Sequence, residues 1–104
     1  MEPLKINSIL ADWPEKHENT IFEAIIRGSK HLLQSNADKV TILLCKIEDE
    51  LLSFECILNR SDIKRSLKKA LDFFIHLEAF EKCAEIKSIL DSLPKNFNKT
   101  LTNI

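Results

Sequence analysis

The chain has 104 residues, of which 44% are apolar and 30% are charged, and its formal net charge is −1. This balance indicates one globular domain, argues against intrinsic disorder, and provides no global field that would steer the protein to nucleic acid or to a membrane. A single glycine leaves little material for a phosphate-binding loop, and the longest apolar run is far too short to span a bilayer.

The cysteines indicate a cellular compartment. Cys45, Cys56 and Cys83 are widely spaced and lie among apolar neighbours, where a thiol behaves as a small hydrophobe. An odd number of cysteines and the lack of a signal-peptide pattern predict a reducing, cytoplasmic environment.

The first third of the chain predicts one helix. Residues 4–10 contain four spaced apolar side chains that could form a turn of helix or a docking segment. A helix start is possible at Asp12, but Thr20 with Glu23 forms a cleaner capping box, and the firm part of the helix is residues 20–34. Gly28 lies on its apolar face, so we expect another element to approach the helix closely there.

Residues 39–59 can be interpreted in two ways. As a helix, they carry one apolar stripe and would complete a four-helix bundle. As strands, VTILLCKI and LLSFECIL form two apolar runs on either side of Glu48, Asp49 and Glu50. The β-branched start, the apolar character of both faces and the acidic triplet at the loop position favour a β-hairpin.

The pattern is clearest in residues 61–93, which predict two amphipathic helices joined by a tight turn. In the first helix, residues 62–77, apolar side chains recur at three- and four-residue steps from Ile63 to Leu77, and Ser61 or Asp62 can cap its start. The second helix runs from about residue 80 to residue 93 and stops at Pro94. So short a turn predicts an antiparallel helical hairpin.

Residues 80–87, with the sequence FEKCAEIK, resemble the second helix of the UVR motif, a small helical hairpin of bacterial excision-repair subunits and chaperone-adaptor proteins. The chain departs from the motif at Cys83, Lys87 and Ser88, which stand where the family has alanine, arginine and aspartate. The resemblance covers about thirty residues, and it implies protein–protein contact. Independent convergence on a well-packed hairpin is the alternative interpretation.

Together these elements predict an α+β fold with a helix, a β-hairpin and a C-terminal antiparallel helical hairpin, with an all-α four-helix bundle as the alternative. We expect one domain over residues 1–94 and a polar tail over residues 95–104.

No pattern in the chain predicts catalysis, a cofactor or a metal ion. His17, His31 and His76 lack metal-ligand spacing with one another and with the cysteines, so surface histidines are the expected interpretation. A short chain with one glycine rarely builds a preorganised active site, and we therefore expect a protein that is not an enzyme.

Two groups of side chains are candidates for contact with a partner. The first contains apolar residues that the helical stripes do not fully account for, which are Trp13, Phe73, Ile75 and Phe80. Such residues often dominate protein interfaces, although additional core packing is the alternative for each. The second is a basic series that could contact phosphates or an acidic partner, or simply face water: Arg60, Lys64, Arg65, Lys68 and Lys69.

The sequence thus favours a small protein-interaction module, such as an adaptor, a regulator or an inhibitor. The alternative is a nucleic-acid-binding protein that uses the basic face of the helix at residues 62–77. Homodimerisation is compatible with both.

Overall fold

A computed structural model describes residues 3–6, 17–47 and 53–93 of the chain. Its elements in chain order are β1 (Leu4–Ile6), α1 (Glu18–Leu33), β2 (Lys39–Ile47), β3 (Ser53–Asn59), a 3-10 turn (Arg60–Asp62), α2 (Ile63–His76) and α3 (Phe80–Ser92). The predicted α+β fold is confirmed, and the all-α alternative is wrong because residues 39–47 and 53–59 are strands. The predicted polar tail lies outside the described residues.

Strands β2 and β3 form the predicted antiparallel hairpin, with pairs that run from Lys39 and Asn59 to Lys46 and Ser53. The register shifts between Thr41 and Leu43, as in a β-bulge. The acidic triplet at residues 48–50 lies outside the described residues.

The third strand, β1, was not predicted. It pairs in parallel with β2, so that Leu4 lies beside Cys45 and Ile6 beside Ile47, and the sheet order is β1-β2-β3. A parallel pair requires a crossover connection, and the crossover contains α1. Residues 4–6 are too few to show a period, and their pairing partner is about forty residues away, so local patterns do not reveal this strand.

Helix α1 packs on one face of the sheet at Gly28. A Cβ atom at this position would lie 2.5 Å from Cγ2 of Ile42, 3.3 Å from Cδ2 of Leu58 and 3.4 Å from Cγ1 of Val40. The close approach predicted for Gly28 is therefore confirmed, because any side chain larger than hydrogen would collide with β2.

Two predicted helix caps are wrong. Helix α1 begins at Glu18, and its N-cap His17 makes no side-chain capping bond, so Thr20 lies inside the helix. Asp62 is the N-cap residue of α2, but its carboxylate accepts a hydrogen bond from Arg65 at 2.6 Å, and it caps no backbone N–H. In both places the capping pattern identified the region of the helix start but not the hydrogen bond.

The core lies between the sheet and the three helices. Its fully buried members come from all of these layers and include Cys45, Leu32, Ile63, Leu67, Phe74 and Ile86. Helix α2 packs against both α1 and α3. No helix in the described part of the chain is both long and apolar enough to cross a membrane.

Candidate protein-interaction surface on the helical hairpin

The turn between α2 and α3 is a defined structure held by backbone hydrogen bonds. The N–H of Glu78 donates to the carbonyl of Ile75 at 3.0 Å, and the N–H of Ala79 donates to the carbonyl of Phe74 at 2.9 Å. These two bonds form a Schellman motif, which requires a left-handed residue after the helix. Glu78 occupies that position with φ at 56°, where glycine is usual.

Replacing Glu78 with glycine is expected to raise the free energy of unfolding by about 0.5–1 kcal/mol. A left-handed conformation costs a non-glycine residue roughly 1–2 kcal/mol, and part of this gain is offset by the greater backbone entropy of glycine in the unfolded chain. Denaturant unfolding of wild type and variant measures the change. Glu78→Ala is the matched control, because it removes the carboxylate and leaves the strain; equal stabilisation by alanine would contradict a backbone origin.

Around this turn the protein exposes a cluster of large apolar side chains. Ile75 is 47% exposed, Leu77 56% and Phe80 70%, and we refer to these three residues as the hairpin tip patch. Among the described residues the other large apolar side chain that is so exposed is Ile57, at 47%, on strand β3. Three side chains of this kind within six residues are unlike the scattered exposed apolar residues of an ordinary surface.

The structure divides the predicted apolar candidates. Ile75 and Phe80 belong to the hairpin tip patch, whereas Phe73 is half-buried, with its ring centroid 4.9 Å from that of Phe22 and 5.1 Å from that of Phe74. Phe73 therefore fits the packing alternative. Trp13 lies outside the described residues. Leu77 was predicted to be part of the buried stripe, but α2 ends at His76, and its side chain is consequently exposed.

The hairpin tip patch has an acidic border. Glu78 and Glu81 are exposed and form no ion pair within the described ranges. Farther along α3, Nζ of Lys82 lies 3.6 Å from Oε1 of Glu23, and the carboxylate of Glu85 pairs with the ammonium group of Lys30. These two ion pairs link α3 to α1, whereas the carboxylates of Glu78 and Glu81 at the tip remain available to a partner.

The N-terminal half of α2 carries most of the predicted basic series. Lys64, Arg65, Lys68 and Lys69 line a shallow surface groove together with Asp72, and we refer to it as the basic groove. Arg65 is already paired with Asp62, while no ion pair of the three lysines is found in the described part of the chain. The groove therefore presents a local excess of positive charge that the net charge of the chain conceals.

Arg60 does not belong to this groove. Its guanidinium donates hydrogen bonds to the backbone carbonyls of Leu32 at 2.5 Å, Ser35 at 2.7 Å and Ala37 at 2.7 Å. These carbonyls follow or end α1, where a helix leaves carbonyl groups without intrahelical partners. Nε and Nη2 of Arg60 are thus engaged within the molecule and hold the side chain against the end of α1. The predicted contact of Arg60 with a phosphate or an acidic partner stays a prediction.

The cysteines do not form an activated site. The Sγ atoms of Cys45 and Cys56 lie 4.0 Å apart, and all three cysteines are free thiols. Burial, followed by the neighbouring Cys56 thiol, raises the pKa of Cys45 to about 11. This direction is opposite to the lowered pKa of a nucleophilic cysteine, so the pair is best understood as part of the core.

The histidines are likewise dispersed. His31 and His76 are exposed, and Nδ1 of His76 lies 2.7 Å from the backbone carbonyl of Asp72 in its own helix. Within residues 3–6, 17–47 and 53–93, no three histidine, cysteine or acidic side chains come together in a way that could hold a metal ion.

Comparison with known proteins finds no family model, no curated protein and no solved structure that matches this chain. The resemblance of α3 to the UVR motif stays a prediction.

Proposed function

We propose that this protein is a small, non-enzymatic protein-interaction module that binds its partner through the hairpin tip patch. The observation that carries the proposal is the concentration of Ile75, Leu77 and Phe80 at one turn. An aromatic side chain that is 70% exposed loses a large apolar area from water when a partner covers it, and such anchors dominate binding energy at interfaces.

Rigid presentation of the patch supports the same function. The Schellman hydrogen bonds define the turn, and the buried side chains of Cys83, Ile86 and Ile89 anchor α3 in the core. A binding surface that is ordered before the partner arrives loses less conformational entropy on association. The proposal agrees with the protein–protein contact that the UVR resemblance implies. The three free thiols fit a reducing, cytoplasmic compartment.

Site-specific photocrosslinking in the cells that produce the protein tests this proposal. A photoreactive phenylalanine analogue placed at Phe80 should yield a protein adduct, and the same analogue at Ile57 is the matched control, because Ile57 is also exposed but lies on strand β3. No adduct at position 80, or equal adducts at both positions, would contradict a specific surface at the tip.

Once a partner is captured, Phe80→Ala should weaken its affinity about thirtyfold, as expected for an aromatic hot spot. Thermal unfolding should be nearly unchanged, because the ring is mostly in water. Phe73→Ala provides the contrast: its ring packs against Phe22, so we expect lower stability there.

The nucleic-acid alternative depends on the basic groove alone. Arg60 lies outside this groove and donates to backbone carbonyls, so the positive charges of the groove are those of Lys64, Arg65, Lys68 and Lys69. A nucleic-acid binder would lose affinity steeply as salt rises, and nuclease treatment would remove its ligand. Adducts at position 80 that contain nucleic acid and disappear with nuclease would therefore replace the protein-interaction proposal.

A further inference from the structure

The helical hairpin carries two surfaces of opposite character. At one end of α2 lies the hairpin tip patch, which is apolar and bordered by Glu78 and Glu81. At the other end lies the basic groove, whose lysine and arginine side chains have long apolar stems below their charged groups. The two surfaces are therefore complementary in charge, and each can cover apolar area of the other.

We infer that the partner of the hairpin tip patch is the basic groove of a second copy of this chain, in an antiparallel twofold dimer of α2 helices. This inference rests on the proposed function, since it names the occupant of the same patch. A twofold arrangement makes both contacts simultaneously, tip to groove and groove to tip, and so forms a closed dimer.

Helical spacing places the α2 side chains that would face the second copy on one flank of the helix. Lys64, Lys68 and Asp72 follow one another at four-residue steps, which bring side chains onto the same side of a helix. Ile75 continues this flank three residues later. The charge along the flank changes from positive to negative, and its last member is apolar.

The distances match an antiparallel arrangement. Lys64 and Ile75 are eleven residues apart within α2, which corresponds to about 16 Å along the helix. A twofold axis near Leu71 and Asp72 brings Lys68 of one copy towards Asp72 and Ile75 of the other. The same axis brings Lys64 towards Glu78 and Phe80. Asp72 also approaches its own copy across this axis, but Lys68 of each chain lies beside that contact. A parallel arrangement would instead place all the lysines beside lysines, and the charge pattern therefore favours the antiparallel one.

The apolar residues supply most of the stabilisation of such a dimer. Exposed ion pairs contribute little individually, so the charges chiefly set orientation. Phe80 is the principal anchor, because its ring can lie against the lysine and arginine stems and their cationic groups. A contact between two hairpins buries on the order of 1,000 Å² in total, which belongs to the weak and reversible class of interfaces.

Analytical ultracentrifugation of nuclease-treated full-length protein tests the inference. Over a concentration range of about 1 μM to 1 mM, which brackets micromolar dissociation constants, wild type should change from the 12.0 kDa chain to twice that mass. Lys64→Glu/Lys68→Glu and Glu78→Lys/Glu81→Lys should each dimerise at least about tenfold more weakly, because each places like charges at both contacts.

An equimolar mixture of these two double variants is the decisive sample. In a heterodimer the acidic groove of the lysine variant meets the basic tip of the glutamate variant, and the basic groove of the glutamate variant meets the acidic tip of the lysine variant. Heterodimers should therefore form at concentrations where neither variant dimerises alone. Lys39→Glu/Lys46→Glu is the matched control for Lys64→Glu/Lys68→Glu: it makes the same change in net charge on exposed positions of β2, and it should dimerise like wild type.

Wild type that stays monomeric throughout, or dimers that persist in both double variants, would overturn the inference. So would a monomer whose basic groove binds a DNA oligonucleotide in a salt-dependent manner. These outcomes are distinct from failure of the proposed function: a monomer that still gives an adduct with another protein at Phe80 keeps the interaction module and excludes only the second copy as its partner.

Discussion

Replacing Arg60 with alanine is expected to lower the free energy of unfolding by about 3 kcal/mol. The guanidinium donates hydrogen bonds to the carbonyls of Leu32, Ser35 and Ala37 at donor–acceptor distances between 2.5 and 2.9 Å. Hydrogen bonds to a charged group contribute about 1.5–3 kcal/mol each, and their loss removes the charged donor from three carbonyls, of which that of Leu32 keeps a hydrogen bond from the N–H of Ser35. Denaturant unfolding measures the effect.

Two further variants make this result specific. Arg65→Ala removes an arginine that is 70% exposed and pairs with Asp62, so its effect should stay within about 0.5 kcal/mol. Arg60→Lys should lose most of the stabilisation, because a single ammonium group lacks the planar fork that reaches several carbonyls at once. Equal losses for Arg60→Ala and Arg65→Ala would show that the carbonyl contacts contribute nothing special.

Replacing Gly28 with valine should destabilise the protein by a similar amount, about 3 kcal/mol. A Cβ atom there would already lie 2.5 Å from Cγ2 of Ile42, and this methyl group is attached to a branched carbon that cannot swing aside. Overpacking of this kind costs about 1–3 kcal/mol, and valine adds two more methyl groups to the collision. The better helix propensity of valine over glycine offsets only a few tenths of this cost.

A double-mutant cycle identifies the collision. Ile42→Ala alone should destabilise by about 2–5 kcal/mol, because it leaves a cavity in the core. In the double variant the valine fills that cavity, so the combined loss should be clearly smaller than the sum of the two single losses. Additive losses would mean that α1 can move away from the sheet at little cost.

The helical hairpin and the β-hairpin could be predicted because their patterns are local. Each has neighbouring partners in sequence and apolar spacing of the right period, and the resulting elements agree with the predicted order. Strand β1 shows the limit of this reasoning: Leu4 becomes part of a sheet through Cys45, a residue that no neighbouring pattern associates with it.

The candidate surface was predictable in part for the same reason. Helical position identified Ile75 and Phe80 as apolar side chains outside the stripe, but it did not identify Leu77, whose exposure depends on where α2 ends. Arg60 was grouped with nearby cations by charge. Its actual role depends on the end of α1 coming close in space, which a run of basic residues does not reveal.

The shifted register in β2 determines where this strand can change length. Successive strand residues point to opposite faces, so the loss of one residue normally turns all the following side chains over. Ile42 has no Cα partner between the pairs of Thr41 and Leu43, and its removal would restore a regular ladder with Leu43, Cys45 and Ile47 still directed into the core. A deletion between Leu43 and Ile47 would instead place apolar side chains in water and Lys46 beneath the helices. Ile42 is therefore the position at which β2 can lose a residue and keep its two faces, although the loss of its buried side chain still costs core packing.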